Sequence, residues 1–247
     1  MQVVIDALAA GLRLPAMSPA NVPLSAVTLL APIPRPRRNL WCVGRNFHAH
    51  AKELSASVFR DNSQKTDEWP IVFTKVPECV VGPYDRVVMP SDVSSQIDYE
   101  AELAVIIGKG GKNIPRSAAL GHVFGYTIVN DVTARDLQNS DGQWTRAKGF
   151  DTFCPFGPWI DTDFDPSDSV VTCRVNGQMR QMASTRDMVF NVSTLIAYIS
   201  SIMTLEPGDL IFTGTPSGVG LLKDGDEVSV EIEGLGEIKN KVKAEAR

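Results

Sequence analysis

At 247 residues the chain has room for one large domain, or for one domain with a small N-terminal appendage. With 43% hydrophobic and 21% charged residues it can bury a sizeable core and lacks a disordered composition. A net charge of -5 speaks against a general role on nucleic acid or a membrane surface and leaves small molecules as the expected partners.

The N-terminal apolar run is broken by Asp6 and Arg13 and lacks a basic start, and no apolar stretch reaches bilayer length. Cys42, Cys79, Cys154 and Cys173 are scattered, with no C-x-x-C pair, which fits reduced buried thiols in a cytoplasmic protein. Residues 1–40 alternate short apolar segments with Pro15, Pro19, Pro23, Pro32, Pro34 and Pro36, a pattern that predicts a small appendage of strands and turns laid on a main body over 41–247. Asn39–Gly44 reads as a buried strand stopped by glycine. The following Arg45–Leu54 has helical propensity, and His50 and Glu53 then share a face three residues apart. Such a pair can act as a general base on water, or be part of an ordinary surface helix. Ser55–Trp69 is polar and aperiodic, as in a lid, a binding loop or a surface excursion.

Strands resume at Ile71–Lys75 and Tyr84–Pro90, and then comes Asp98–Lys109, in which polar alternation passes into a β-branched run ending at a glycine. On a strand Glu100 and Glu102 point the same way. Two carboxylates side by side at the entry to a core repel each other unless a cation or a proton lies between them; a solvated edge is the alternative. Gly121–Asn130 is again strand-like. Asp131 follows where a helix could start, so it is either a helix cap or a third oxygen ligand for a hard ion such as Mg²⁺ or Mn²⁺. Lys148 sits among small and aromatic residues, either exposed or placed to hold an anionic group or an enolate.

Pro155–Ile160 and Val170–Val175 continue the strands, and Asn176-Gly177 signals a hairpin. Leu195, Ile196, Ile199, Ile202 and Met203 have helical spacing, with Ser193 as the expected N-cap. Thr213–Gly220 is a glycine-rich loop after a buried strand, suited to backbone contact with an anion, but it lacks the lysine of a P-loop and the spacing of a dinucleotide fold.

In this order, Val43-Gly44-Arg45-Asn46-Phe47, Asp98-Tyr99-Glu100-Ala101-Glu102-Leu103, Asn130-Asp131-Val132-Thr133-Ala134-Arg135-Asp136, the Lys148 segment, Pro207-Gly208-Asp209 and Thr213–Gly220 resemble the fumarylacetoacetate hydrolase family in its short form. The resemblance runs from about Leu30 to the end. It implies a β-rich α+β fold, a mixed β-sandwich roll with flanking helices, assembled as a homodimer. It implies that Glu100, Glu102 and Asp131 bind Mg²⁺ or Mn²⁺, that His50 and Glu53 activate water with Lys148 as the third catalytic group, and that Arg135, Gln138 and Thr215 meet the substrate. The expected substrate is a small anionic 2-oxo acid. The leading expectation is hydrolysis of a carbon–carbon bond in an acylpyruvate such as fumarylpyruvate, in catabolism of aromatic compounds. Oxaloacetate decarboxylation or isomerisation of 2-hydroxyhepta-2,4-diene-1,7-dioate on the same site are the alternatives, and a non-catalytic binding protein is a more distant one.

Overall fold

The structure, a computed structural model, describes residues 1–14, 21–50 and 68–245. Its strands are β1 (Leu40–Gly44), β2 (Ile71–Lys75), β3 (Val80–Val81), β4 (Val87–Met89), β5 (Ile97–Asp98), β6 (Ala101–Ile107), β7 (Val123–Asn130), β8 (Thr133–Ala134), β9 (Cys154–Asp161), β10 (Val170–Val175), β11 (Gln178–Ser184), β12 (Leu210–Phe212), β13 (Glu227–Ile232) and β14 (Gly236–Ala244). Apart from a helical stretch that begins at His48, the α-helices among the described residues are α1 (Gln2–Ala9), α2 (Arg135–Ser140), α3 (Thr145–Lys148) and α4 (Val192–Ile202). The fold is thus β-rich α+β.

Every residue of β6 is buried, as expected of a β-branched run covered on both faces. It lies at the middle of a seven-stranded mixed sheet of order β2-β1-β12-β6-β7-β9-β3. A second sheet, β11-β10-β13-β14-β4, packs against it, and one hydrophobic core joins Val105, Ile128 and Phe156 to Val230, Ile238 and Val242. The hairpin between β10 and β11 turns at Asn176 (φ 52°) and Gly177 (φ 77°), both left-handed, as a two-residue I′ turn requires. All four cysteines are buried and free. Among the described residues no helix is long and apolar enough to cross a membrane.

Two local expectations are corrected. The N-terminal segment carries a helix, α1, and a short 3₁₀ turn at Leu24–Ala26, and no strand among its described residues before Leu40. Its short apolar segments suggested strands, but Gln2 and Asp6 hydrogen-bond one turn apart, Ile5 is fully buried, and Arg37 pairs with Asp6 at 2.7 Å, so tertiary contacts select the helix. Helix α4 is capped by Asn191, whose Oδ1 accepts from the Thr194 amide at 3.0 Å; the expected cap, Ser193, lies inside the first turn. Glu53 and nearly all of the polar stretch expected to form a lid lie outside the described residues.

Candidate active site

Antiparallel pairing of β6 with β7 sets Ala101 opposite Asn130. The residues flanking that pair, Glu100 and Asp131, are thereby brought together: the Asp131 amide donates to the Glu100 carbonyl at 2.8 Å, and the Glu100 amide donates to Asn130 Oδ1 at 2.9 Å. Glu102, second in β6, turns to the same side. All three carboxylates are buried and offer oxygens within 4.8 Å of one another. The alternatives open in the sequence therefore close: the two glutamates are not a solvated edge, and Asp131 caps no helix, since α2 begins after Ala134.

Such a cluster needs positive charge. The ammonium of Lys148 lies 2.7 Å from Glu100 Oε2 and 2.7 Å from Asp131 Oδ2, with 1% of its side chain exposed, so this is no surface lysine. Its charge also sits 5.0 Å from the Phe73 ring centre, and Phe73 is packed edge-on against Trp144. Lys75 is fully buried at the end of β2, with Nζ donating to the Val132 carbonyl at 3.1 Å. The same atom lies 2.7 Å from Asp131 Oδ1, an ion contact off the hydrogen-bond direction. Arg135 donates from Nε to Asp98 Oδ2 at 2.8 Å, from Nη2 to Glu100 Oε1 at 2.6 Å, and from Nη1 to Gln138 Oε1.

The two glutamates respond in opposite directions. Burial pushes Glu102 up, and the charges of Asp131 and Glu100 push it further, well above the ordinary carboxylate range; Lys148 and the Gly214 amide, 2.7 Å from Oε2, oppose this only in part. Burial also works to raise Glu100, but Lys148, Arg135 and His50 outweigh it and hold the group well below its usual value. Lys75, Lys148 and Arg135 contact Asp131 and Glu100, so among the described residues Glu102 is the carboxylate of the three without an ion pair. Three converging carboxylate oxygens without sulfur or imidazole in the set suit a hard divalent cation, so the residues fit the ion that the resemblance implies.

Above the cluster lies a narrow cleft with Arg45, His50, Gln138, Trp144, Lys148 and Thr215 in its wall. His50 is buried there, in a helical stretch that begins at His48. Thr215 reaches the cleft, but its hydroxyl donates to the Ala101 carbonyl at 2.9 Å and accepts from Gln181 Nε2 at 2.8 Å, which makes it a strut between sheets as much as a substrate contact. Arg135 likewise lines the cleft with its guanidinium committed to protein groups. Sequence reasoning passed over Lys75, Arg45 and Asp98 as site residues. A lysine closing a strand of β-branched residues is a signal for a buried cation. The left-handed backbone of Arg45 (φ 58°) has no cue in its residue type.

The Fumarylacetoacetate (FAA) hydrolase C-terminal family model matches residues 39–243. The chain belongs to the fumarylacetoacetate hydrolase family. Among its relatives in that family is the oxaloacetate tautomerase YisK of Bacillus subtilis, 45% identical over 229 residues that cover 89% of this chain and 74% of the relative. A solved fumarylacetoacetate hydrolase of Exiguobacterium antarcticum superposes with a TM-score of 0.87 at 43% identity, over 98% of this chain and 88% of the other. A solved 2-hydroxyhepta-2,4-diene-1,7-dioate isomerase of Mycobacterium marinum superposes with a TM-score of 0.83 at 43% identity, over 94% and 84%. The cluster at Glu100, Glu102 and Asp131 lies wholly within the segment matched by the family model.

Proposed function

We propose that this family member is a divalent-metal-dependent enzyme that interconverts tautomers of a small 2-oxo acid, with oxaloacetate as the first substrate to test. The observation that supports this reading most directly is the buried triad of Glu100, Glu102 and Asp131, in which Glu102 has no ion pair among the described residues, at the floor of a cleft that also holds Lys148 and His50. Two of the relatives above are named as a tautomerase and an isomerase, and both activities shift a proton beside a 2-oxo group.

A Mg²⁺ or Mn²⁺ ion held by the three carboxylates would supply a Lewis acid to the 2-oxo acid, favouring its enolate. Lys148 adds a fixed ammonium in a dry site, where charge on the developing enolate oxygen is stabilised most. His50 is the proton carrier: it takes a proton from C3 as the C2–C3 double bond forms, and returns one to the C2 oxygen. Gln138 and Arg45 hold the anionic substrate in the cleft. Burial of the floor keeps water from protonating the enolate at random.

Hydrolysis of an acylpyruvate is the second reading, supported by the likeness to a solved fumarylacetoacetate hydrolase. There His50, with Glu53 three residues on, would activate a water against the distal carbonyl, and the pyruvate enolate would leave. Purified protein given oxaloacetate, acetylpyruvate and fumarylpyruvate, each with Mg²⁺ or Mn²⁺, separates the two by ultraviolet absorbance. Metal-dependent loss of the oxaloacetate enol band is the expected result. Cleavage of the acylpyruvates alone would favour the second reading, and turnover of none of the three would end both.

A further inference from the structure

We infer that Asp98 is a positioning residue that acts through Arg135 to fix the side-chain amide of Gln138, so that the cleft presents a hydrogen-bond donor at that point and selects a substrate with an acceptor oxygen there. This deepens the proposed function and rests on its substrate class. Arg135 is buried, and each of its three guanidinium nitrogens has a partner: Nε on Asp98 Oδ2, Nη2 on Glu100 Oε1 and Nη1 on Gln138 Oε1. A guanidinium can only donate. The end of Gln138 that meets it must therefore be the carbonyl oxygen, which leaves the NH₂ as the group that Gln138, itself in the cleft wall, can offer to a ligand.

The anchor of this arrangement is Asp98. Strand β5 pairs it with Thr133 of β8, two residues before Arg135, so backbone register sets the carboxylate against Nε. Its second oxygen, Oδ1, is buried with no hydrogen-bond partner among the described residues, so the carboxylate's polar contact is the one it makes with Arg135. Asp98 cancels the guanidinium charge from behind. Arg135 then holds Glu100 and Gln138 in place and does not swing out to ion-pair with the substrate.

The test is a double-mutant cycle of Asp98→Ala and Gln138→Leu on the Mn²⁺-loaded enzyme, with KM and kcat for oxaloacetate and Mn²⁺ affinity measured for each. Loss of one oriented hydrogen bond corresponds to a rise in KM of about tenfold. Asp98→Ala is expected to show that rise with kcat within about threefold, and Asp98→Asn, which keeps an acceptor for Nε, to recover most of it. The double variant should have the KM of Gln138→Leu alone, since both changes remove one interaction. Effects that multiply to about a hundredfold, or an unchanged KM in Asp98→Ala, would overturn the inference. A second readout needs no turnover. The Gln138 side-chain amide, identified in ¹H–¹⁵N spectra by its loss in Gln138→Leu, should be rigid in the wild type and motionally averaged in Asp98→Ala. An amide unaffected by Asp98→Ala would refute the coupling even if oxaloacetate proved the wrong substrate, whereas a responsive amide in an enzyme inert to oxaloacetate would fault only the proposed function.

Discussion

The backbone amide of Gly214 donates to Oε2 of Glu102 across 2.7 Å. The glycine-rich loop after β12 thus does meet an anion at close range, and the anion is the protein's own. Gly214 has φ +91°, and a Cβ there would stand 2.7 Å from the Asn46 Cβ and 3.0 Å from the Val43 carbonyl oxygen. Both the backbone conformation and the lack of space require glycine. Gly214→Ala should destabilise the fold by about 1–3 kcal/mol and weaken Mn²⁺ binding together, because the loop must move off Glu102. Thermal melting with and without Mn²⁺ reads both; a drop in stability with metal affinity unchanged would separate the loop from the site.

Glu102 governs how stability varies with pH. Its folded-state pKa is raised, so the folded chain binds more protons than the unfolded one above the usual carboxylate value of about 4.3, and its contribution falls as pH rises through that window. Glu100 has the opposite sign: its pKa is depressed, and its contribution is present above that value and lost as pH falls through the folded pKa. In EDTA-treated protein, Glu102→Gln is expected to raise the melting temperature at pH 8 and leave it nearly unchanged near pH 4. Mn²⁺ should stabilise the wild type increasingly with pH and the variant hardly at all. Equal stabilisation of both by Mn²⁺ would remove Glu102 from the ligand set.

Lys75 is the cation that a reader of the sequence would overlook. It is fully buried against Asp131, so Lys75→Met leaves a carboxylate in the core with one counter-charge fewer. A loss of about 3–5 kcal/mol in urea unfolding is expected for the metal-free protein. Mn²⁺ should restore part of it, since the ion supplies the charge that was removed. Failure of the metal to narrow the gap would mean that Lys75 serves packing alone.

His50→Asn addresses the chemistry. Proton transfer by a placed side chain contributes about 10²–10⁴-fold, so oxaloacetate tautomerisation should fall by that factor with Mn²⁺ affinity retained. A variant within threefold of wild type would move the proton-carrying role to another group in the cleft.

Much of this site was legible in the chain because it is built from strand ends, whose period of two and β-branched composition survive in sequence. Glu100 and Glu102 were readable as a same-face pair, while Asp131 kept its reading as a helix cap and Lys148 as an exposed lysine until the family resemblance joined them to that pair. The second layer was not. That Arg135 is tied to Asp98, that Thr215 is braced by Gln181, and that Lys75 lies behind Asp131 depend on contacts between residues 34 to 56 apart, which no local pattern encodes. The N-terminal helix was missed for a related reason: Val3, Val4 and Ile5 favour strand locally, and the partners that favour helix, Pro207 and Arg37, are distant in the chain.

The central claim is that Glu100, Glu102 and Asp131 hold one divalent ion. Anomalous diffraction at the manganese edge from crystals grown with Mn²⁺ tests it most directly. A single strong peak within coordination distance of all three carboxylates is the expected result. A manganese peak elsewhere, with Lys148 still bridging Glu100 and Asp131 and no peak beside Glu102, would contradict it.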